Sequence, residues 1–344
     1  MNLQPILDRY LLPLEQALRD ATPATRPELG WHYGMIHYHL GWVDETFAPV
    51  PGNGGKRLRP LLCLLVTEAA GGSIKRAMPA AVALELLHNF SLVHDDIEDN
   101  SATRRGRPAV WKVWGIPQAI NAGDGLLALT HLALGELTNQ GVPPAQAVEA
   151  IRAFDAACVA LTEGQFLDMS FEARVDVTLE EYLHMIQGKT AALICVACQL
   201  GALIAGAPPE TVAHYTRFGE HLGMAFQIQD DWLGVWGEEA VTGKPVGDDI
   251  RERKKNYPVV YALEQLASVG DPRLANLYRR EHIDKAAVRA ILGILGDVDA
   301  QARTLEAAGA YHDRALAALA ATGIQNQAQT WLREVANALL SRRS

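Results

Sequence analysis

Ser91-Leu-Val-His94-Asp95-Asp96-Ile-Glu98-Asp99-Asn-Ser-Ala-Thr-Arg104-Arg105-Gly106 is the stretch on which the reading of this chain turns. An apolar run from Ala80 to Val93 leads straight into four acids within five positions, and two arginines follow. Residues four apart on an α-helix share a face, so Asp95 and Asp99 project side by side. Two carboxylates held that close repel unless a cation lies between them. Acids that end an apolar helix, with arginines just beyond, point to a divalent metal together with a phosphorylated ligand.

Working outward, the helix predicted over 78–99 is apolar nearly all round, through Val82, Leu84, Leu86, Leu87, Phe90, Leu92 and Val93. Such a helix belongs in the middle of a bundle. Upstream, 3–20 reads as an amphipathic helix closed by Thr22-Pro23 to Arg26-Pro27, and Pro60 opens a helix that ends at Gly71-Gly72. Downstream, helices are expected over 117–139, 144–170, 178–206 and 208–235, with Gly188 weakening or kinking the third of these. Residues 237–256 read as a surface loop, and Ala-rich helices return over 284–295, 299–321 and 325–340. Strand patterns and Asn-Gly hairpin turns are almost absent. The expectation is an all-α fold and a single domain over residues 1–344.

The bulk numbers narrow the function. Of 344 residues, 49% are apolar and 21% charged, the balance of an ordinary globular protein. A net charge of −9 argues against a nucleic-acid binder, which carries a basic surface. The N-terminus lacks a signal-peptide pattern, and no charge-free apolar run of transmembrane length is expected, so stable membrane insertion is not. Cys63, Cys158, Cys195 and Cys198 all lie in apolar, helix-like surroundings, which suits reduced thiols in the cytoplasm. Cys195 and Cys198 form a C-x-x-C with no second pair at zinc-site spacing, so core packing is the reading. His32, His37 and His39, crowded into one aromatic segment, read as core or surface histidines rather than ligands.

A second acidic pair closes another apolar helix: Gly223-Met-Ala-Phe226-Gln227-Ile-Gln-Asp230-Asp231-Trp-Leu-Gly234. Two such pairs, each ending a helix too apolar to be exposed, favour a shared metal site over solvated helix ends. Basic residues gather in or beside breaks: Lys56, Arg57 and Arg59; Arg104 and Arg105; Lys189; Lys244; Lys254 and Lys255. A diphosphate needs several cations from different directions. Neither Gly55-Lys56 nor Gly188-Lys189-Thr190 completes a nucleotide-binding P-loop, and the acidic run lacks the glycine of a calcium loop.

Together these residues resemble the trans-isoprenyl diphosphate synthases, or polyprenyl synthetases. The matching stretches are Asp95 to Asp99 with Arg104-Arg105-Gly106, Phe226 to Asp231, Gly54 to Pro60, His88, Gly188-Lys189-Thr190, Gly243 to Asp249 and Lys254 to Pro258, in the family's order. The resemblance implies a helical bundle around a deep central cavity, usually a homodimer. It implies that Asp95, Asp99 and Asp230 hold Mg²⁺, three ions per site with Mn²⁺ as an alternative, and that Asp96 and Asp231 are further or outer-shell acids at the metal. Arg104, Lys189, Lys244 and Lys254 would bind an allylic diphosphate. Lys56, Arg59, His88 and Arg105 would bind isopentenyl diphosphate, and Thr190 and Gln227 would line the reacting centre. The implied reaction is ionisation of the allylic diphosphate, condensation and loss of a proton.

Two positions depart from the family pattern: Gly234 replaces a third aspartate, and Asn256 replaces Thr or Ser. Phe90 lies five residues before Asp95, about 7.5 Å deeper at about 1.5 Å of rise per residue. With small Ser91 beside it, an aromatic there implies C15 to C20 products, geranylgeranyl diphosphate being the expectation. A class I terpene cyclase or an unusual condensing enzyme is the rival, but needs no second diphosphate pocket. A non-catalytic partner subunit is the other alternative, which the complete motifs disfavour.

Overall fold

The computed structural model describes residues 6–24, 26–51, 54–237 and 247–340. Helix dominates them, as the periodicity implies, and the chain divides into two compact units. One holds the residues up to Arg152 together with Leu200–Ala207; the other holds Ala153–Gln199 and everything from Pro208 onward.

The first unit contains α1 (Leu12–Ala21, continuing from a π-helical turn), α2 (Gly30–His39), α3 (Leu58–Ala69), α4 (Ile74–Glu98), α5 (Val110–Trp114), α6 (Ile116–Gly135) and the start of α7 (Pro144–Phe171). Its middle is α4, buried on every side from Ala80 to Leu87 and packed along α3 and α6. The helix begins a turn earlier than Pro79 suggests, because the buried face already starts at Ala77. After the acids comes a small hairpin, β1 (Thr103–Arg104) against β2 (Arg107–Pro108), with Arg104 opposite Arg107.

Within the apolar length of α4 one charge is enclosed, Glu85, only 2% exposed. A buried carboxylate must be paired. Its partner is Arg57, which caps α3 from the left-handed region at φ 47°. The guanidinium donates to Glu85 at 2.7 Å, to Glu15 of α1 at 2.7 Å and to the Leu40 carbonyl at 3.4 Å. Trp42 donates its indole N–H to the other oxygen of Glu15. Gly54 is required here, since a Cβ would lie 2.1 Å from the Arg57 guanidinium.

The second unit contains the rest of α7, then α8 (Leu179–Ile186), a π-helical turn over Gln187–Ala191, and α9 (Ala192–Ala205), whose last residues lie in the first unit. Next come α10 (Pro209–Trp236), α11 (Asp248–Arg251), α12 (Tyr257–Ser268), α13 (Arg273–Tyr278), α14 (Lys285–Asp297), α15 (Ala300–Ala321) and α16 (Gln327–Leu340). Gly188 does not break the predicted helix; it marks the π turn. A Cβ on Gly188 would meet the Ala160 carbonyl of α7 at 2.5 Å, and one on Gly164 would meet the Lys189 amide at 2.1 Å. Two glycines thus let the backbones touch. Gly223 does the same for α10, its Cβ position lying 2.5 Å from Ala191.

Leu179–Ala205 is long and apolar enough to cross a membrane, contrary to the expectation of no such run, but 67% of its most apolar window is buried inside the protein. It reads as a core helix. None of the four cysteines is in a disulfide, which agrees with reduced thiols, and burial pushes the thiols of Cys63, Cys158 and Cys195 up to about 12.

Replacing Glu85 by Gln leaves Arg57 buried with half of its counter-charge. The expected loss is on the order of 3 kcal/mol, read as a lower urea midpoint, against about 1 kcal/mol for the more exposed Glu15→Gln. Equal effects would show that burial does not set the strength of this knot.

Candidate active site

The end of α4 separates its acids by direction. Asp96 turns inward and is 1% exposed, Asp95 is half-buried, and Asp99, at the helix cap, is exposed. Asp99, one turn beyond Asp95, is thus the more open of the two to solvent. Arg104 reaches back from the hairpin, its Nε donating to Asp96 at 2.8 Å and its NH2 to Asp95 at 3.0 Å. Burial pushes the Asp96 carboxyl up, and the hydrogen bond from Arg104 pulls it down. The second oxygen of Asp96 is buried with no hydrogen-bond partner among the described residues.

Arg105 turns the other way. It takes a positive φ of 54°, donates to the His39 carbonyl at 3.2 Å and reaches the Asn89 side-chain oxygen at 3.4 Å. Asn89 donates to Glu85, so the Arg57 knot continues through Glu85 and Asn89 to Arg105. Gly55, at φ +87°, lets the early basic loop lie against Arg105, with the guanidinium 3.4 Å from where its Cβ would be. His88 is half-buried. Burial first, then the charges of Arg59 and Arg105, push its ring well below the usual histidine range. His39 behaves likewise, through burial and then Arg105, Arg104 and Arg57. Burial does most of this, but the guanidiniums that add to it for both rings mark a concentration of positive charge that favours an anion. A small pocket here is lined by His39, Arg104, Arg105 and Arg107, among others. Lys56 is exposed at the rim of the same loop.

Phe90 is half-buried, not core, and its ring meets His94 edge-on with centroids 4.7 Å apart. The His94 ring fills space that Gly123 of α6 leaves open, 2.3 Å from where a Cβ would sit. Ser91 turns its hydroxyl to the His88 carbonyl at 2.9 Å.

In the second unit a polar chain crosses from the π turn to α10. Thr190 donates to the Gln227 side-chain oxygen at 2.6 Å, and the Gln227 nitrogen donates to Asp231 at 2.8 Å. The other oxygen of Asp231 accepts from the Tyr182 hydroxyl and from the Tyr257 backbone N–H, the latter at 2.7 Å. Burial pushes the Asp231 carboxyl up to about 7, while these three donors pull it down and Asp249 adds to the push. Asp231 is expected as a further or outer-shell acid at the metal, and its side chain here is turned into the protein. It is 6% exposed and its oxygens are taken by protein donors; Asp230, beside it, is the half-buried member of the pair.

Among the expected cations, Lys189 stands in the π turn and pairs with Asp168 of α7, and Lys254 is exposed beside Glu252 at 3.1 Å. Lys244 lies outside the described residues. Lys255, adjacent to Lys254, is buried, gives its protons to the carbonyls of Glu172 and Arg253, and is pushed down to about 8 by burial. The departures acquire reasons. Asn256 caps α12, accepting from the Val259 N–H at 3.3 Å. Gly234 leaves the space taken by the Asp249 carboxylate, whose oxygen lies 2.0 Å from where a Cβ would be.

No group of three His, Cys, Asp or Glu side chains is already gathered for a metal among the described residues. That still fits magnesium, which is usually held by one or two carboxylates, with phosphate oxygens and water completing the shell. Asp95 and Asp99, hard oxygen donors on the open side of α4, and the unpartnered oxygen of Asp96 suit it. The residues that sequence reading missed are Glu85, Asn89, Asp249 and the buried role of Arg57. Only Glu85 carried a signal, a lone charge inside an apolar helix.

The chain is similar to proteins of known name. Its sequence is 46% identical over 236 residues to a (2E,6E)-farnesyl diphosphate synthase of Mycobacterium tuberculosis, covering 69% of this chain and 64% of that protein. The match thus spans just under two thirds of that relative. It is also 46% identical over 245 residues to a geranylgeranyl diphosphate synthase of the same organism, covering 71% of this chain and 69% of that protein. Its fold superposes on a crystal structure of a polyprenyl synthetase from Streptomyces coelicolor with a TM-score of 0.85 and 34% identity, covering 98% of this chain and 99% of that one. Residues 41–295 match the family profile described as polyprenyl synthetase, and the chain belongs to that family.

Proposed function

We propose that this protein is a short-chain prenyltransferase that condenses isopentenyl diphosphate with an allylic diphosphate. The observation that carries the proposal is the layout of α4. Its open end bears the Asp95 and Asp99 carboxylates, and further back burial holds the His88 ring below the usual histidine range, with the charges of Arg59 and Arg105 adding to that push. One helix therefore serves a metal-held diphosphate and a second, directly bound diphosphate, as a two-substrate condensation needs.

In this reading Asp95, Asp99 and Asp230 hold Mg²⁺, three ions per site with Mn²⁺ as an alternative. Arg104, Lys189, Lys244 and Lys254 bind the allylic diphosphate, and Lys56, Arg59, His88 and Arg105 the isopentenyl one. Arg104 already answers the charge of Asp95 and Asp96, and its guanidinium would be available to phosphate were those carboxylates to hold a cation. The metal, when bound, supplies charge neutralisation of the leaving diphosphate. Neutral His88 donates a hydrogen bond without adding charge. Thr190 and Gln227 present oxygen dipoles to the developing allylic cation. The new carbon–carbon bond forms at the isopentenyl double bond, and the proton lost passes to the released pyrophosphate.

We also propose that residues 1–344 act as a single catalytic domain, in a cytoplasmic homodimer. Exposed apolar side chains in each unit support the dimer: Ile116, Ile120 and Leu132 in the first, 47%, 43% and 68% exposed, and Val159 and Phe166 in the second, 56% and 70%. The names of the relatives, farnesyl and geranylgeranyl diphosphate synthases, support a C15 to C20 product, geranylgeranyl diphosphate being our choice.

Purified protein given Mg²⁺, isopentenyl diphosphate and dimethylallyl, geranyl or farnesyl diphosphate should release a linear C15 or C20 diphosphate, sized by chromatography. A cyclic hydrocarbon formed without consuming isopentenyl diphosphate would overturn the proposal. Phe90→Ala should lengthen the product, and an unchanged distribution would remove Phe90 from the wall that limits the chain. Gly234→Asp should displace the Asp249 carboxylate at a cost of about 1–3 kcal/mol in unfolding free energy, with most of it recovered in Gly234→Asp/Asp249→Gly. A single variant as stable as the parent would show that Asp249 does not occupy that space.

A further inference from the structure

We infer that Asp231 is a positioning residue that sets the polarity of the Gln227 carboxamide and, through it, of the Thr190 hydroxyl. The inference rests on the prenyltransferase reading for its functional meaning but on hydrogen bonds alone for its geometry.

The two ends of a Gln side chain have the same shape, and only the surroundings decide which end donates. Here Asp231 decides. Its Oδ2 is held by two donors, the Tyr182 hydroxyl and the Tyr257 backbone N–H, and the backbone N–H cannot reverse its role. Its Oδ1, 2.8 Å from Gln227, is an acceptor as well, so the amide nitrogen must face it. The amide oxygen is then left for Thr190, whose hydroxyl gives its only proton to it at 2.6 Å. What Thr190 can offer in any other direction is a lone pair. A hydroxyl fixed with its proton turned away attracts a cation; one with its proton turned outward repels it. The π turn that carries Thr190 and the Gly223 contact that brings α10 against it hold the two partners together, Thr190 buried and Gln227 half-buried.

Asp231→Asn would reverse this order. The new side-chain oxygen has to stay with the Tyr257 N–H, so the new amide nitrogen faces Gln227, which must turn its oxygen toward position 231 and its nitrogen toward Thr190. Gln227→Glu, with Asp231 kept, sets two carboxylates face to face. The double variant Asp231→Asn/Gln227→Glu restores the original order. Its carboxylate at position 227 accepts both from the carboxamide at position 231 and from Thr190, and the summed charge is unchanged.

The experiment is this four-member cycle in the full chain. Each protein is measured for kcat and KM with both diphosphates, for Mg²⁺-dependent binding of inorganic pyrophosphate by calorimetry, and for thermal midpoint. Each single variant should lower kcat by about 100-fold, with KM values and Mg²⁺-dependent pyrophosphate binding within about threefold of the parent. The double variant should recover at least tenfold over either single one. A tenfold loss of Mg²⁺-dependent binding in Asp231→Asn, or no recovery in the double variant, would overturn the inference. Should Asp231→Asn fail to fold, the double variant decides: folded and active it supports the inference, unfolded it refutes it. If the parent transfers no prenyl group, the functional proposal fails separately. The polarity is then read from the Gln227 side-chain amide resonances, expected to shift strongly in Asp231→Asn and overturned by their staying in place.

Discussion

The buried guanidinium of Arg57 is the interaction on which the first unit depends. A charge taken out of water is costly unless it meets opposite charge and acceptors. Glu15, Glu85 and the Leu40 carbonyl answer Arg57, which ties α1, the end of α2, the cap of α3 and the middle of α4 to one point. Because Glu85 also receives Asn89, and Asn89 faces Arg105, the same knot reaches the guanidinium proposed to meet isopentenyl diphosphate. Structure and binding share one chain of charges here. The glycines of the early basic loop fit this arrangement: Gly54 makes room for Arg57, and Gly55 supplies the positive φ beside Arg105.

In the second unit the corresponding device is close backbone approach. Gly164, Gly188 and Gly223 remove side chains where α7, the π turn and α10 meet, and the polar residues nearby are held by packing they do not themselves provide. Asp231 illustrates the division of labour within one acidic pair. Its neighbour Asp230 stays half-buried, while Asp231 is enclosed and saturated, so adjacent identical residues on one helix end do different work. Rotation by one helical position accounts for it.

Much of this was legible in the sequence. The all-α class followed from apolar runs at helical spacing, and the place of Asp95 and Asp99 at the end of a buried helix followed from the apolar run that leads into them. The resemblance supplied Arg105, His88, Thr190 and Gln227, and the structure gathers Arg105 with His88 and Thr190 with Gln227. The illegible parts share one physical origin, contacts between residues far apart in the chain. Nothing near Gly234 announces that Asp249 will fill its side-chain space. Nothing near Arg57 distinguishes it from Lys56 and Arg59, though it alone of the three is buried. The hairpin at Thr103–Pro108 was too short to show a period, and the inward turn of Asp231 depended on Tyr182 and Tyr257, each supplied from another helix.

The π turn at Gln187–Ala191 has a consequence for how this chain can change. Such a turn holds one residue more than the α-helix around it. Each residue advances a helix by about 100°. Closing the turn to regular α-helix would therefore rotate everything beyond it by about that angle relative to α8. Leu193, Ile194, Ala197 and Cys198, now buried, would swing out of the core. Lys189 and Thr190 are thus locked in phase with the apolar face that follows them. A deletion here cannot be absorbed locally, and the chemistry at the turn and the packing of α9 have to be inherited together.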